Sequence, residues 1–133
     1  MSARVVLVVV PCLVALGSLA SPRAAVAEQA WRTGRPSQVM VEAAERTYAA
    51  VRARFEAGSE TLETVYVWSL RWLEAQRTAR PTAAAAAARD HHRRMQELCA
   101  LVDRQVAAGT LDGSAASACQ YYLAQAEVRL QER

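Results

Sequence analysis

Residues 37–58 read SQVMVEAAERTYAAVRARFEAG. Met40, Ala44, Tyr48, Val51 and Phe55 recur at steps of three and four, while Glu45, Arg46, Arg52 and Glu56 fall mostly off that stripe. This is the period of an amphipathic helix. Ser37 is placed to cap its start, because a serine hydroxyl accepts from the free amides of a first turn. Gly58 is placed to stop it, because glycine takes the left-handed conformation that closes a helix.

The Ala57-Gly58 stop is repeated at Ala108-Gly109, 51 residues further on. The same shift sets Tyr48 on Cys99, Val51 on Val102, Phe55 on Val106, Trp68 on Cys119 and Ala75 on Ala126. Between the stops lies a second stripe of Leu62, Val65, Tyr66, Ser69, Trp72 and Leu73, widened by Val67, Trp68 and Leu70. Ser59 or Thr61 starts that helix, Glu60 and Glu63 favour its positive end, and Pro81 ends it near Arg80. Thr82 is placed to cap a third helix, which opens on the six alanines Ala83 to Ala88 and carries Met95, Leu98, Cys99, Val102 and Val106 to Gly109. Asp112 or Ser114 then caps a fourth, with Ala115, Cys119, Tyr122, Leu123, Ala126 and Leu130 on its stripe. Nothing in residues 28–133 alternates as a strand does. The expected fold is all-α: an antiparallel bundle of two αα-hairpins related by an internal repeat, with hairpin one at 37–80 and hairpin two at 82–131. At about 1.5 Å per residue, helices of about 20 residues run about 30 Å.

Ahead of these helices, Met1 to Arg4 form a basic start and Val5 to Ala20 an apolar run of about 16 residues, short of the ~20 that span a bilayer. Ser21-Pro22-Arg23 breaks the run, and Ala25-Val26-Ala27 precedes Glu28. Residues 1–27 therefore read as a signal peptide, and 28–36, with Gly34 and Pro36, as a flexible lead-in. Export to the periplasm is the first expectation and secretion to the medium the second. Membrane contact is expected only through an uncleaved signal segment.

Composition narrows the class. At 53% hydrophobic and 22% charged residues, with 5 Gly and 4 Pro, the chain is globular rather than disordered or collagenous. All 16 positive residues are Arg, and Lys, Ile and Asn are absent, a pattern of GC-rich coding. Without residues 1–27 the chain holds 14 Arg against 13 acidic residues. A near-neutral chain has no field to gather phosphate, so a nucleic-acid partner is not expected.

The segment RFEAGSETLETVYVWSLRWLEAQ, residues 54–76, keeps Phe55, Ala57, Gly58, Thr61, Val65 and Leu73 of a helical pattern. In this it resembles the helical hairpins of TolC-type outer-membrane efflux proteins. Residues 99–127 keep less: Ala108-Gly109, Tyr121-Tyr122 and Ala126-Glu127. The resemblance covers under half the chain and implies a shared hairpin style and a link to efflux. The barrel strands of those channels have no counterpart here. The chain also resembles small exported helical proteins of unknown role with a duplicated Ala-Gly hairpin.

Chemistry-bearing residues are few. Cys99 and Cys119 stand ten residues either side of Gly109, each on an apolar stripe. A hairpin turn brings them face to face, either as a disulfide or as two buried free thiols. Tyr48 and Trp68 hold the equivalent positions in hairpin one, which favours a facing pair there too. Met95 with reduced Cys99 and Cys119 forms a soft-metal set, the basis of an alternative reading as a periplasmic metal- or redox-responsive sensor or chaperone. His91 and His92, beside Asp90, Arg93 and Arg94, read as a solvated face. No catalytic motif is present, so the chain reads as non-enzymatic, and no cofactor is implied. The surplus apolar residues Val67, Trp68, Leu70 and Trp72 are the candidates for a protein-partner surface or for self-association.

Overall fold

The computed structural model describes residues 36–132, and every regular element among them is helical. The expected signal peptide and nearly all of the lead-in lie outside the described residues. Helix α1 spans Pro36–Glu56, α2 Leu62–Ala79, α3 Ala84–Ala107 and α4 Gly113–Gln131, with one 3-10 turn at Pro81–Ala83.

Local chemistry accounts for the ends. Helix α1 opens on Pro36, whose fixed φ suits a first helical position and whose missing amide costs nothing there. Ser37 therefore lies inside the helix rather than ahead of it. At the other end Gly58 has φ +74°, and its amide donates to the Phe55 carbonyl at 2.9 Å. The amide and hydroxyl of Ser59 both donate to the Arg54 carbonyl, at 2.9 and 3.1 Å. These are the two bonds of a Schellman stop, with a hydroxyl added. The stop after α3 repeats each of them 51 residues later. Gly109, with φ +71°, donates to the Val106 carbonyl, and the amide and hydroxyl of Thr110 donate to that of Gln105. The cap residues Thr61 and Asp112 keep the same interval, with Thr61 Oγ1 accepting from the third amide on, at Thr64, and Asp112 Oδ1 from the second, at Ser114.

Between α2 and α3 the Arg80 amide closes on the Gln76 carbonyl, and Pro81 follows. Thr82 does not cap α3. It lies within the 3-10 turn, and α3 begins after Ala83 with no side-chain cap, on alanine propensity.

Helix α1 packs on α2, α3 packs on α4, and α2 joins the pairs by packing on α3. Helix α2 also touches α4, and Arg52 of α1 reaches Glu97 of α3 at 3.2 Å. The core is filled by Tyr48, Val51 and Phe55 from α1, Val65 and Tyr66 from α2, Met95, Leu98, Cys99 and Val102 from α3, and Cys119 and Ala126 from α4. Two expectations need correction. Met40 continues the α1 stripe but is 54% exposed, because the side chains around it, Ala43, Ala75 and Thr78, are too short to cover it. His91 is fully buried rather than solvated, because it stands four residues before Met95 and shares its phase.

Candidate interaction surface

The outer face of α1 and α2 carries an open groove of about 570 Å³. Its floor is Ala44 and Ala75, both buried; Val67, Trp68 and Leu70 line it from α2, and Met40 stands at its edge on α1. Small floor residues make the hollow, and large residues at its margin make the walls. Apart from Arg71, Glu74 and Thr78, every lining side chain is apolar. The Arg71 guanidinium lies 4.5 Å from the centre of the Trp68 ring, a cation–π stack that holds both side chains along the groove.

Of the four partner-surface candidates, Val67, Trp68 and Leu70 line this groove and Trp72 does not. Trp72 turns inward: its ring centre is 5.6 Å from that of Tyr48 and 4.1 Å from the Arg94 guanidinium. The expected Tyr48–Trp68 pair is thus replaced by Tyr48–Trp72. A smaller hollow of about 250 Å³ opens where Gln38, Gln76, Arg80 and Asp90 surround the alanine start of α3.

Between α2 and α3 lies a buried polar cluster. Arg94 Nε donates to Ser69 Oγ at 2.9 Å and Nη2 to the Ser69 carbonyl at 3.3 Å. Ser69 Oγ is 2.9 Å from His91 Nδ1. Arginine only donates, so the Ser69 hydroxyl accepts from Arg94, while the direction of its bond with His91 Nδ1 follows the tautomer of the imidazole. His91 Nε2 is buried and has no hydrogen-bond partner among the described residues. Burial lowers the His91 pKa to about 3, with help from the charges of Arg94, Arg129 and His92. Burial likewise lowers that of Arg94 to about 10. A serine bonded to a histidine is the beginning of a nucleophile and base. Here both side chains are 0% exposed, so the pair is presented to no substrate. Its role in the fold is to tie α2 to α3. Sequence reasoning assigned His91 and Arg94 to solvent; the signal available was the phase of His91 on the α3 stripe.

Cys99 and Cys119 are joined by a disulfide, with Cα atoms 5.4 Å apart. Both are buried, as is Met95. Among the described residues no three His, Cys, Asp or Glu side chains converge on a possible ion site. None of the described helices is long and apolar enough to cross a membrane. Comparison with family models, with curated proteins and with solved structures returns no match.

Proposed function

We propose that this chain is an exported, non-enzymatic helical protein of the cell envelope, which works by presenting the outer face of its first hairpin to another protein. The observation that carries the reading is the groove between α1 and α2, where Val67, Trp68 and Leu70 leave apolar surface open to solvent. Contiguous apolar surface of this kind is costly to leave in water and marks interaction sites. Export rests on the order of basic start, apolar run and small-residue cleavage site in residues 1–27, and a disulfide is at home in an oxidising compartment. The matched turns and caps at an interval of 51 residues support two hairpins of common origin. The resemblance of residues 54–76 to efflux-channel hairpins makes an efflux assembly the first setting to examine.

The test is a photoreactive residue in place of Met40, in the full chain produced in its own envelope. Protein adducts are expected in the periplasmic or extracellular fraction. A correctly folded chain that forms none would sink the proposal.

The disulfide favours one second reading, a redox-responsive envelope protein. Reduction would free two thiols beside Met95, a set suited to a soft ion such as Cu(I). Cu(I) binding that appears only after reduction supports it, and equal behaviour in both states removes it.

A further inference from the structure

Resting on the reading of the groove as an interaction face, we infer that its occupant is a second copy of this chain, docked antiparallel about a two-fold axis. An isologous interface must complement itself, since the same patch serves both subunits. This face does so in charge and in shape.

Arg71 and Glu74 lie about one turn apart on α2 and carry opposite signs. Arg71 stacks on Trp68 but makes no ion pair among the described residues, and the exposed Glu74 has only a 3.7 Å contact with Arg77. When two α2 helices cross antiparallel with the axis between residues 72 and 73, Arg71 of each copy meets Glu74 of the other. Both rim charges are then answered, twice over.

That register fixes the rest of the contact. It sets Leu70 against Ala75 and Val67 against Thr78. Met40 is sixteen residues before the end of α1 and Thr78 sixteen after the start of α2, so the two share one height in the hairpin. The axis therefore carries Met40 of one copy onto Val67 and Trp68 of the other. Met40 is the exposed knob of this face, and in this register the hollow over Ala44 and Ala75 faces Leu70 of the other copy. Among the described residues, α2 packs against α1, α3 and α4, and no further helix covers this side.

The experiment uses the purified full chain in sedimentation equilibrium, with circular dichroism as the control for folding. The wild type is expected to dimerise. R71E and E74R each place like charges together at two symmetric points, and each is expected to weaken self-association by about tenfold. The double variant R71E/E74R restores opposite charges and is expected to recover it. M40E, at a solvent-exposed position, is expected to abolish the dimer without unfolding the chain. A wild type that stays monomeric overturns the inference, as does a double variant no better than the singles. The Met40 photo-crosslink separates this failure from that of the parent reading. An adduct of twice the mass of the chain recovered from the same fraction, without residues 1–27 where the signal has been cleaved, supports the dimer. An adduct of any other mass overturns the second copy and leaves the interaction face standing, and no adduct overturns both.

Discussion

Arg94 on α3 donates through Nε to Ser69 Oγ on α2 at 2.9 Å, and the pair is closed off from solvent. A guanidinium buried at a helix interface is expensive unless its donors and its charge are met. Two donors go to Ser69, and the cation lies over Trp72 at 4.1 Å and Tyr48 at 5.7 Å. Ser69→Ala leaves both Arg94 Nε and His91 Nδ1 without a partner, and is expected to cost about 1–3 kcal/mol. Arg94→Met keeps most of the volume and removes the charge, so it is expected to cost less than Arg94→Ala, which opens a cavity as well. Urea midpoints of the three variants rank them; Arg94→Ala milder than Arg94→Met would contradict this account.

His91 gives the fold an acid-sensitive term. Its pKa is about 3 when folded, against an ordinary 6.5, so the unfolded chain binds the proton first as pH falls. Stability then rises with pH between about 3 and about 6.5, and is lost on acidification through that window at up to about 1.4 kcal/mol per pH unit. Above pH 6.5 the imidazole is neutral in both states and contributes no slope. His91→Gln is expected to flatten stability across the window while leaving the carboxylate-driven loss at lower pH. Parallel curves for variant and wild type from pH 7 to pH 4 would refute it.

What the sequence made legible follows from how far each interaction reaches. Helix stops at Gly58 and Gly109 and caps at Thr61 and Asp112 are settled within a few residues by backbone conformation and one side-chain oxygen; local pattern places the stops and narrows each cap to two residues, Ser59 or Thr61 and Asp112 or Ser114. The facing of Cys99 and Cys119 was legible as a possibility, because both flank one turn at equal distance. Partners across separate helices were not. Tyr48 meets Trp72 rather than Trp68 because the rotation of α2 about its axis is set by packing against α3, which no spacing within α2 records. Arg94 reads as surface in any one-dimensional pattern; only the arrival of Ser69 and Trp72 from α2 makes its burial tolerable. The groove was half legible: Val67, Trp68 and Leu70 widen the apolar face of α2, but the small floor at Ala44 and Ala75 belongs to the pairing of two helices.

The two glycine stops make a paired prediction. Nothing lies within 4 Å of a Cβ built on Gly58 or on Gly109, so the cost of a side chain there is all backbone. Gly58→Ala and Gly109→Ala are each expected to lose about 1–2 kcal/mol, the penalty for the left-handed region, and the two values should agree. Asparagine tolerates that region better, so Gly→Asn should cost less at both sites. Thermal melts of the four variants decide it; an alanine that costs nothing at either site would show that the stop relaxes by another route.

The disulfide makes the largest single prediction. It closes a loop 20 residues apart in sequence, wholly within the second hairpin. Restricting that loop in the unfolded chain stabilises the fold by about 3 kcal/mol in the chain-entropy account. At about 4–8 °C per kcal/mol for a domain of this size, that is a fall of about 12–24 °C in Tm on reduction. Replacing both cysteines by alanine removes the link and trims two buried side chains, so that variant is expected to melt slightly below the reduced wild type. Because the restriction acts on the unfolded state, the effect should persist when Gly109 is replaced, and the Gly109→Ala loss should be similar with and without the bridge. Thiol labelling of the non-reduced, denatured chain gives the first check. Full labelling of Cys99 and Cys119 would mean no link, and identical melting of oxidised and reduced protein would mean that the link carries no stability.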